Sequence, residues 1–493
     1  MKILLVYPKY PETFWSFKYS LKFIGKKSTF PPLGLLTVAA MLQNDWEKKL
    51  VDMNVVDLKD SDIEWADYIF ISAMIVQKES VFEVIKRCKN FNKKIVAGGP
   101  LFVNSHCDFK EVDHFIIGEA ETVLPLFLRD LEGGKPERIY STSQKPELNL
   151  TPLPLWELIN TRKYALMNIQ YSRGCPFDCD FCDITAMLGR VPRTKGKEQI
   201  LRELDAIYNL GWRGGVFFVD DNFIGNKDKL KKEILPAIIK WRDEKKYPFV
   251  FSTEASLNLS DDQELMNLMV NAGFGAVFLG IETPDDDSLA ECNKLQNKNR
   301  DLVSCVKKIQ RSGMEVQGGF IVGFDNDKPS IFEKQIQFIQ KSGITTAMVG
   351  ILTAMQGTRL YQRLKKEKRL LEESSGNNTD CRVNFVPKMG RQELVDGYKK
   401  VVFTIYSPEC YCQRAINFLK DYRVKIKMKT RFHFNYLQTF FYSLWFFGIK
   451  EKGQIYFWKL IFWTLINRPR LFPQAISFAI QGYHFRKVYE KYN

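Results

Sequence analysis

The sequence predicts an α/β protein with three parts: an N-terminal doubly wound parallel sheet, a (βα)6 partial barrel and a mostly helical C-terminal region. Three observations carry this. Short Val/Ile-rich runs alternate with helical stretches in two series, the second at a longer period. Pro146, Pro152 and Pro154 punctuate the interval between the series as a linker would. From about residue 360 strand patterns give way to helical ones. A chain of 493 residues suits two or three domains. The expected divisions are 1–140, a linker at 141–160, 161–358 and 359–493.

In the first series, strands are expected at Lys2–Tyr7, Val51–Val56, Tyr68–Ala73, Lys94–Ala97 and His114–Ile117, with helices such as Leu33–Gln43 and Glu79–Asn90 between them. That order is the pattern of an open sheet covered on both faces. The second series places strands at Asn168–Ser172, Gly215–Val219, Phe249–Thr253, Ala276–Gly280, Val316–Val322 and Ala347–Leu352. Glu198–Leu210 and Asp261–Asn271 have helical spacing. Six such units make a partial barrel, whose chemistry belongs at the strands' C-terminal ends. Further on, Glu372–Thr379 reads as a loop. Beyond Arg431 the composition shifts to aromatic-rich apolar runs, Leu437–Phe447, Ile455–Ile466 and Leu471–Ile480, interrupted by Lys450, Lys452, Arg468 and Arg470.

Composition narrows the class. Apolar residues make up 45% and charged residues 26%, which excludes wholesale disorder and collagen-like repeats. Lysine and arginine exceed acids by 15, favouring an anionic partner of some kind. The apolar stretch after Met1 is too short for a signal-peptide core, and nothing reaches 18 uncharged apolar residues. A cytoplasmic location follows as an expectation, with the ten cysteines as reduced thiols or metal ligands. Four histidines leave little room for a His-built metal site.

The strongest chemical signal is Tyr171-Ser-Arg-Gly-Cys175-Pro-Phe-Asp-Cys179-Asp-Phe-Cys182, directly after a predicted strand. Three thiolates at these spacings can sit on one loop and reach one metal centre. A closed zinc site needs a fourth ligand, and no Cys or His follows within 100 residues. An iron–sulfur cluster held by three cysteines keeps one iron open to another molecule. Acids also close successive barrel strands: Asp220 and Asp221, then Glu254, then Glu282. Each could be a cap or a turn residue, but a purely structural barrel does not need all of them.

The Cys-x-x-x-Cys-x-aromatic-Cys loop, with Phe181 before the third cysteine, resembles that of radical S-adenosylmethionine (SAM) enzymes over roughly residues 165–355. The resemblance implies that Cys175, Cys179 and Cys182 ligate a [4Fe-4S] cluster whose free iron holds SAM. It further implies reductive cleavage of SAM to a 5′-deoxyadenosyl radical, and hence an electron donor such as flavodoxin or ferredoxin. Asp220, Asp221, Glu254 and Glu282 would contact the SAM amino group, ribose or carboxylate. Gly319 and Gly323, in Gly318-Gly-Phe-Ile-Val-Gly323, resemble the family's fifth-strand glycines near adenine.

A doubly wound domain ahead of such a barrel resembles the cobalamin-binding branch of that family. The matching pieces are Ser72-Ala-Met74, Gly98-Gly99-Pro100 and Gly118-Glu119-Ala-Glu121, with Pro31-Pro32-Leu33-Gly34-Leu35 and Asp52-Met-Asn54. Ser72, Met74, Gly98, Gly99 and Glu119 are therefore expected beside cobalamin. The Asp-x-His-x-x-Gly motif is absent and no histidine precedes His106, so no protein imidazole is expected on cobalt. A sheet that has lost its cofactor is the alternative. Gly376-Asn-Asn-Thr379, Asn384–Met389 and Tyr483–Arg486 resemble a C-terminal domain of a subgroup that includes hopanoid C-2 methylases. The resemblance implies methylation of an unactivated carbon of a lipid or other hydrophobic substrate. A rearrangement, ring contraction or coupling is the rival outcome. The aromatic tail has three readings: a helical cap on the barrel, a peripheral membrane contact, or recognition of a greasy substrate. Nucleic acid is disfavoured, because the tail is amphipathic and lacks the form of a stacking platform.

Overall fold

The computed structural model describes residues 1–427 and 434–492. Arg431, where the composition shifts, lies outside the described residues. The first sheet contains β1 (Lys2–Tyr7), β2 (Glu47–Asp52), β3 (Tyr68–Ser72), β4 (Lys94–Gly98), β5 (His114–Ile117) and β6 (Ile139–Ser141), all parallel in the order 2-1-3-4-5-6. The order reverses between β1 and β3, which makes the crevice outside their carboxyl ends the ligand position of the sheet. Separate apolar clusters cover its two faces.

The second strand runs over Glu47–Asp52, four residues earlier than the expected Val51–Val56. As the sheet's edge it tolerates the charged residues Glu47, Lys48 and Lys49. Asp52 ends it by accepting the Asn54 N–H at 2.9 Å. The sixth strand, β6, has no counterpart among the expected elements. It is three residues long with only Tyr140 buried, too brief for a periodic signal.

The second sheet is also wholly parallel: β7 (Met167–Ile169), β10 (Gly214–Phe218), β11 (Phe249–Ala255), β12 (Phe274–Glu282), β13 (Glu315–Val322) and β14 (Ala347–Ile351), in that order from edge to edge. β8 (Ser172–Arg173) and β9 (Arg193–Thr194) form a small antiparallel ribbon between β7 and β10. β11 alternates buried and half-buried residues along its whole length. One side packs under the helices and the other faces the interior of an open barrel.

The C-terminal helices α1 (Arg391–Ile405), α2 (Pro408–Asp421), α3 (Phe434–Trp445), α4 (Gln454–Asn467) and α5 (Phe472–Glu490) join the barrel's own core. Phe457, Leu460, Phe478 and Phe485 are buried there, so the expected helical cap exists. Among the described residues no helix is long and apolar enough to cross a membrane.

Candidate active site

The three-cysteine loop is closed at its base by the β8–β9 ribbon. Gly174 takes φ +95°, and a Cβ there would lie 2.9 Å from the Gly189 carbonyl oxygen, so only glycine fits. Cys175 N–H donates to that carbonyl at 3.3 Å, and Cys182 N–H donates to the Cys179 carbonyl at 3.2 Å. The loop is also tied to the chain after β12: Asp180 N–H donates to the Cys292 carbonyl at 3.0 Å and Asn293 Nδ2 to the Asp178 carbonyl at 2.8 Å.

All ten cysteines are free thiols. Burial pushes the Cys182 thiol up to about 12 and raises Cys175 and Cys179 above the ordinary range. Deprotonation of such thiols must be coupled to a metal that binds them. Among the described residues no three His, Cys, Asp or Glu side chains converge on one point as a single ion requires. Cys292 lies close by, but its thiol is turned to the Leu289 carbonyl at 3.6 Å.

The strand-end acids gather around this loop in different states. Asp220 is buried; one oxygen accepts the Tyr171 N–H at 3.1 Å and the other accepts both the N–H and hydroxyl of Ser172. It ties the end of β10 to the chain entering the cysteine loop, and burial still pushes it up to about 7. Asp221 is half-buried with one carboxylate oxygen unpartnered, and burial pushes it up to about 6. Glu254, at the end of β11, is half-buried; burial first, then repulsion by Asp221 and Asp220, pushes it up to about 8. Glu282 sits at φ 66°, an uncommon conformation for a non-glycine residue. There it pairs with Lys294 at 2.7 Å. Burial alone would lower the Lys294 ammonium, but Glu282 and Cys179 beside it hold it well above its usual range.

Lys294 has no sequence signal: it is an isolated lysine in a polar turn. The same holds for Gln296, whose amide lies 4.0 Å from the Cys179 sulfur, whereas Asn222, 3.9 Å from the Cys175 sulfur, directly follows the acids Asp220 and Asp221 in sequence. Gly319 is buried on β13 with its open side toward Phe278 and Met348, and Gly323 turns the chain at φ +105° against Leu394 of α1.

On the first sheet, Ser72, Met74, Gly98 and Gly99 come together at the ends of β3 and β4. Met74 is exposed, and Tyr10 donates its hydroxyl to the Met74 sulfur at 3.4 Å. A Cβ on Gly99 would lie 2.7 Å from Ser72 Oγ at φ +94°, while one on Gly98 would lie 3.2 Å from the Ile116 carbonyl. These glycines therefore pack against their own sheet, so a bulky substitution would disturb the domain whether or not a ligand is bound.

Glu119 stands apart from that group. Its carboxylate meets Arg193 and Arg173, each at 2.8 Å, and Glu121 meets Arg173 at 2.7 Å. Arg173 lies two residues before Cys175. The loop after β5 is thus clamped to both strands of the ribbon that carries the cysteines. Acids on one domain and arginines on another become partners only in the fold, which is why spacing along the chain does not reveal them.

A three-thiol loop at the mouth of a parallel partial barrel, joined to a doubly wound sheet, defines a radical SAM enzyme with a cobalamin domain. The radical SAM superfamily model matches residues 169–339, the B12 binding domain model residues 26–128, and a domain of unknown function, DUF4070, residues 358–493. An uncharacterized methyltransferase of Synechocystis sp. is 40% identical over 99% of this chain and 92% of its own. The hopanoid C-2 methylase of Rhodopseudomonas palustris is 32% identical over 94% of this chain and 90% of its own. Two solved structures share the fold at low identity. The cobalamin-dependent SAM radical enzyme OxsB, with aqua-cobalamin bound, has TM-score 0.65 at 13% identity over 99% of this chain and 80% of its own. The methyltransferase TsrM of Kitasatospora setae, with cobalamin and a [4Fe-4S] cluster bound, has TM-score 0.63 at 12% identity over 100% and 99%. The chain belongs to the cobalamin-binding radical SAM methyltransferase family. Its cofactors are a [4Fe-4S] cluster, SAM and cobalamin.

Proposed function

We propose that this enzyme methylates an unactivated carbon of a lipid or other hydrophobic substrate. The observation that carries the substrate class is the 32% identity to a hopanoid C-2 methylase across nearly the whole chain, C-terminal domain included. The bound cofactors supply hydrogen-atom abstraction and a methyl group, and the protein orients them and excludes water. Cys175, Cys179 and Cys182 hold the cluster, and Lys294 offsets the negative charge gathered by three thiolates and Glu282. Asp221, Glu254 and Glu282 face SAM, while Asp220 positions the cysteine loop through the backbone of Tyr171 and Ser172. Ser72, Met74, Gly98 and Gly99 line the corrinoid's place, and Glu119 acts as a domain clamp. An external electron donor of the flavodoxin or ferredoxin type supplies the reducing electron.

The partner reading extends to a bilayer surface. Large apolar side chains project outward at helical spacing from α3 (Phe441, Trp445), the turn after it (Ile449) and α4 (Ile455, Phe462, Ile466), at exposures from 48% for Trp445 to 80% for Ile466. Lys450 lies 5.4 Å over the Trp445 ring, and Lys452 and Arg470 flank the stripe. The nearby acid Glu451 is paired with Arg486 at 3.0 Å. An apolar stripe edged by cations complements anionic headgroups.

The test is anaerobic turnover of the reconstituted enzyme with SAM carrying a deuterated methyl group and a hopanoid-containing lipid extract. A lipid heavier by one labelled methyl supports the proposal. Labelled methyl found only on water-soluble products overturns the substrate class.

A further inference from the structure

Residues 8–31, between β1 and the helix Leu33–Met41, run from one open edge of the barrel sheet to the other. At the β14 edge, the Trp15 indole N–H donates to Met348 Sδ at 3.1 Å. At the β7 edge, Ala165 and Leu166 N–H donate to the carbonyls of Ser28 and Thr29 at 3.0 and 2.9 Å. In return, Lys27 and Ser28 N–H donate to the Lys163 carbonyl at 2.8 and 3.3 Å, and Lys26 Nζ donates to the Arg162 carbonyl at 2.8 Å. The stretches 22–29 and 161–166 are thereby laid side by side.

Their charge is one-sided. Residues 18–30 carry Lys18, Lys22, Lys26 and Lys27, residues 158–164 carry Arg162 and Lys163, and neither stretch has an acid. Glu12 takes Lys18. Lys22, Lys27, Arg162 and Lys163 are exposed, and Lys26 holds its ammonium 5.6 Å over the Trp212 ring. Like charges gathered this closely repel one another, a cost that a bound anion removes.

Apolar groups adjoin these cations. Phe23 is buried against α3 and the turn after it: its ring stacks on Phe447 at 5.2 Å and lies 5.1 Å from Tyr442, and its carbonyl accepts the Thr439 hydroxyl at 2.8 Å. Lys22 and Ile24, on either side of it, remain exposed, and so do Phe441, Tyr442 and Trp445 of α3. The sequence has no acid between Asp421 and Glu451, so α3 brings no negative charge of its own. Outward apolar side chains rimmed by lysine and arginine suit an interface where the first enter the acyl boundary and the second meet phosphates. Single-stranded nucleic acid would need aromatic faces interleaved with the cations. Here the residue exposed among the lysines is Ile24, which offers no face for stacking.

We infer that Lys22, Lys26, Lys27, Arg162 and Lys163 form a headgroup site for anionic phospholipid, and that Ile24 enters the same bilayer beside α3. This rests on the bilayer reading of α3 and α4 and carries that face onto the segment bridging the barrel's open edges. The bilayer then lies along the β7 edge, where residues 25–29 pair with the chain entering the barrel.

Hydrogen exchange and flotation of the full-length protein test this without relying on turnover. The probes are vesicles of phosphatidylglycerol mixed with phosphatidylcholine, vesicles of phosphatidylcholine alone, and a single-stranded oligonucleotide. At ten times its Kd a ligand slows exchange through the open state about tenfold. The anionic vesicles should slow residues 18–29 and 159–166 by about that factor, together with α3 and α4, and the neutral vesicles by clearly less. Each cation near an anionic surface contributes about fivefold in affinity, so Lys22→Gln, Lys27→Gln and Lys163→Gln together should weaken flotation about a hundredfold. Arginine at the same three positions should keep it, and neither variant should alter exchange in the absence of vesicles. Protection of α3 and α4 with none at 18–29 overturns the inference and leaves the α3–α4 contact standing. So does flotation of the glutamine variant within threefold of wild type. No protection anywhere by anionic vesicles overturns the bilayer reading as well. Oligonucleotide binding as tight as vesicle binding, lost in the glutamine variant, overturns the lipid assignment in favour of nucleic acid.

Discussion

Arg173→Ala should open the joint between the first sheet and the cysteine loop. Arg173 is 13% exposed and binds Glu119, 6% exposed, and Glu121, 3% exposed. Glu119 keeps Arg193, but Glu121 keeps only the Thr151 hydroxyl at 2.7 Å. Removing one partner of a buried pair costs about 3–5 kcal/mol when the other charge stays ionised. Glu121 has an escape, because it can take up a proton. Protonating a carboxyl of ordinary pKa 4.5 at pH 7 costs about 3.4 kcal/mol, which caps the deficit near that value. At pH 5 the same cap is under about 1 kcal/mol.

The sign follows from the direction of each shift. In wild type, burial would raise Glu121, but Arg173 overcomes it and holds it below its ordinary value. Its contribution is present above pH 4.5 and lost only as pH falls through the folded pKa. In the variant burial, the largest influence on Glu121, is opposed only by hydrogen bonds such as that from Thr151, so destabilisation grows with pH. Native-state hydrogen exchange of residues 114–132 and 172–194 reads this directly. The variant should exchange about a hundredfold faster at pH 7 and only a few-fold faster at pH 5. Adding Glu121→Gln should recover part of the loss. A variant that exchanges within threefold of wild type at pH 7, or whose deficit is independent of pH, would refute the clamp.

Other outcomes follow from the same geometry. Replacing Cys175, Cys179 and Cys182 together by Ala should abolish the reconstituted cluster's visible absorbance and deoxyadenosine formation, whereas replacing Cys292 alone should leave the absorbance intact. Gly99→Ala, with its strained φ and its contact on Ser72 Oγ, should destabilise the first sheet by about 1–3 kcal/mol, measured as a denaturant midpoint, and Gly98→Ala by less. Burial lowers His484 from its ordinary 6.5 to about 4. Its contribution to the contact with the Phe14 carbonyl, 2.9 Å from Nε2, is therefore complete above pH 6.5 and lost as pH falls toward 4, which faster proteolysis near residues 8–31 at pH 5 would report. Full-length protein should float with anionic vesicles at low salt, and Ile455→Asp with Ile466→Asp should weaken flotation at least tenfold. Unchanged flotation of that double variant would assign vesicle binding to another surface.

Much of the architecture is legible in the chain because parallel strands buried on both faces are continuous apolar runs. Four of the first sheet's strands and all six of the barrel's can be read this way. β2 was displaced because an edge strand need not be apolar, and β6 was missed because three residues cannot show a period. The cysteine loop is legible because its ligands are adjacent in sequence. Lys294, the Glu119–Arg173 clamp and Trp15 are not, since each gains its partners only when distant segments meet. Trp15 donates its indole N–H to Met348, 333 residues away along the chain. The aromatic tail resisted a single reading because it does two things at once: one side of α4 joins the core and the other is bare.

The central claim is tested most directly by counting the two products of SAM in an anaerobic reaction with reductant, cobalamin and a hopene. A cobalamin-dependent radical methylation consumes one SAM as methyl donor and another as radical source. The account predicts S-adenosylhomocysteine and 5′-deoxyadenosine in equal amounts, both rising with the methylated hydrocarbon and both lost in the triple cysteine variant. Deoxyadenosine formed without S-adenosylhomocysteine, at any level of hydrocarbon conversion, would contradict it.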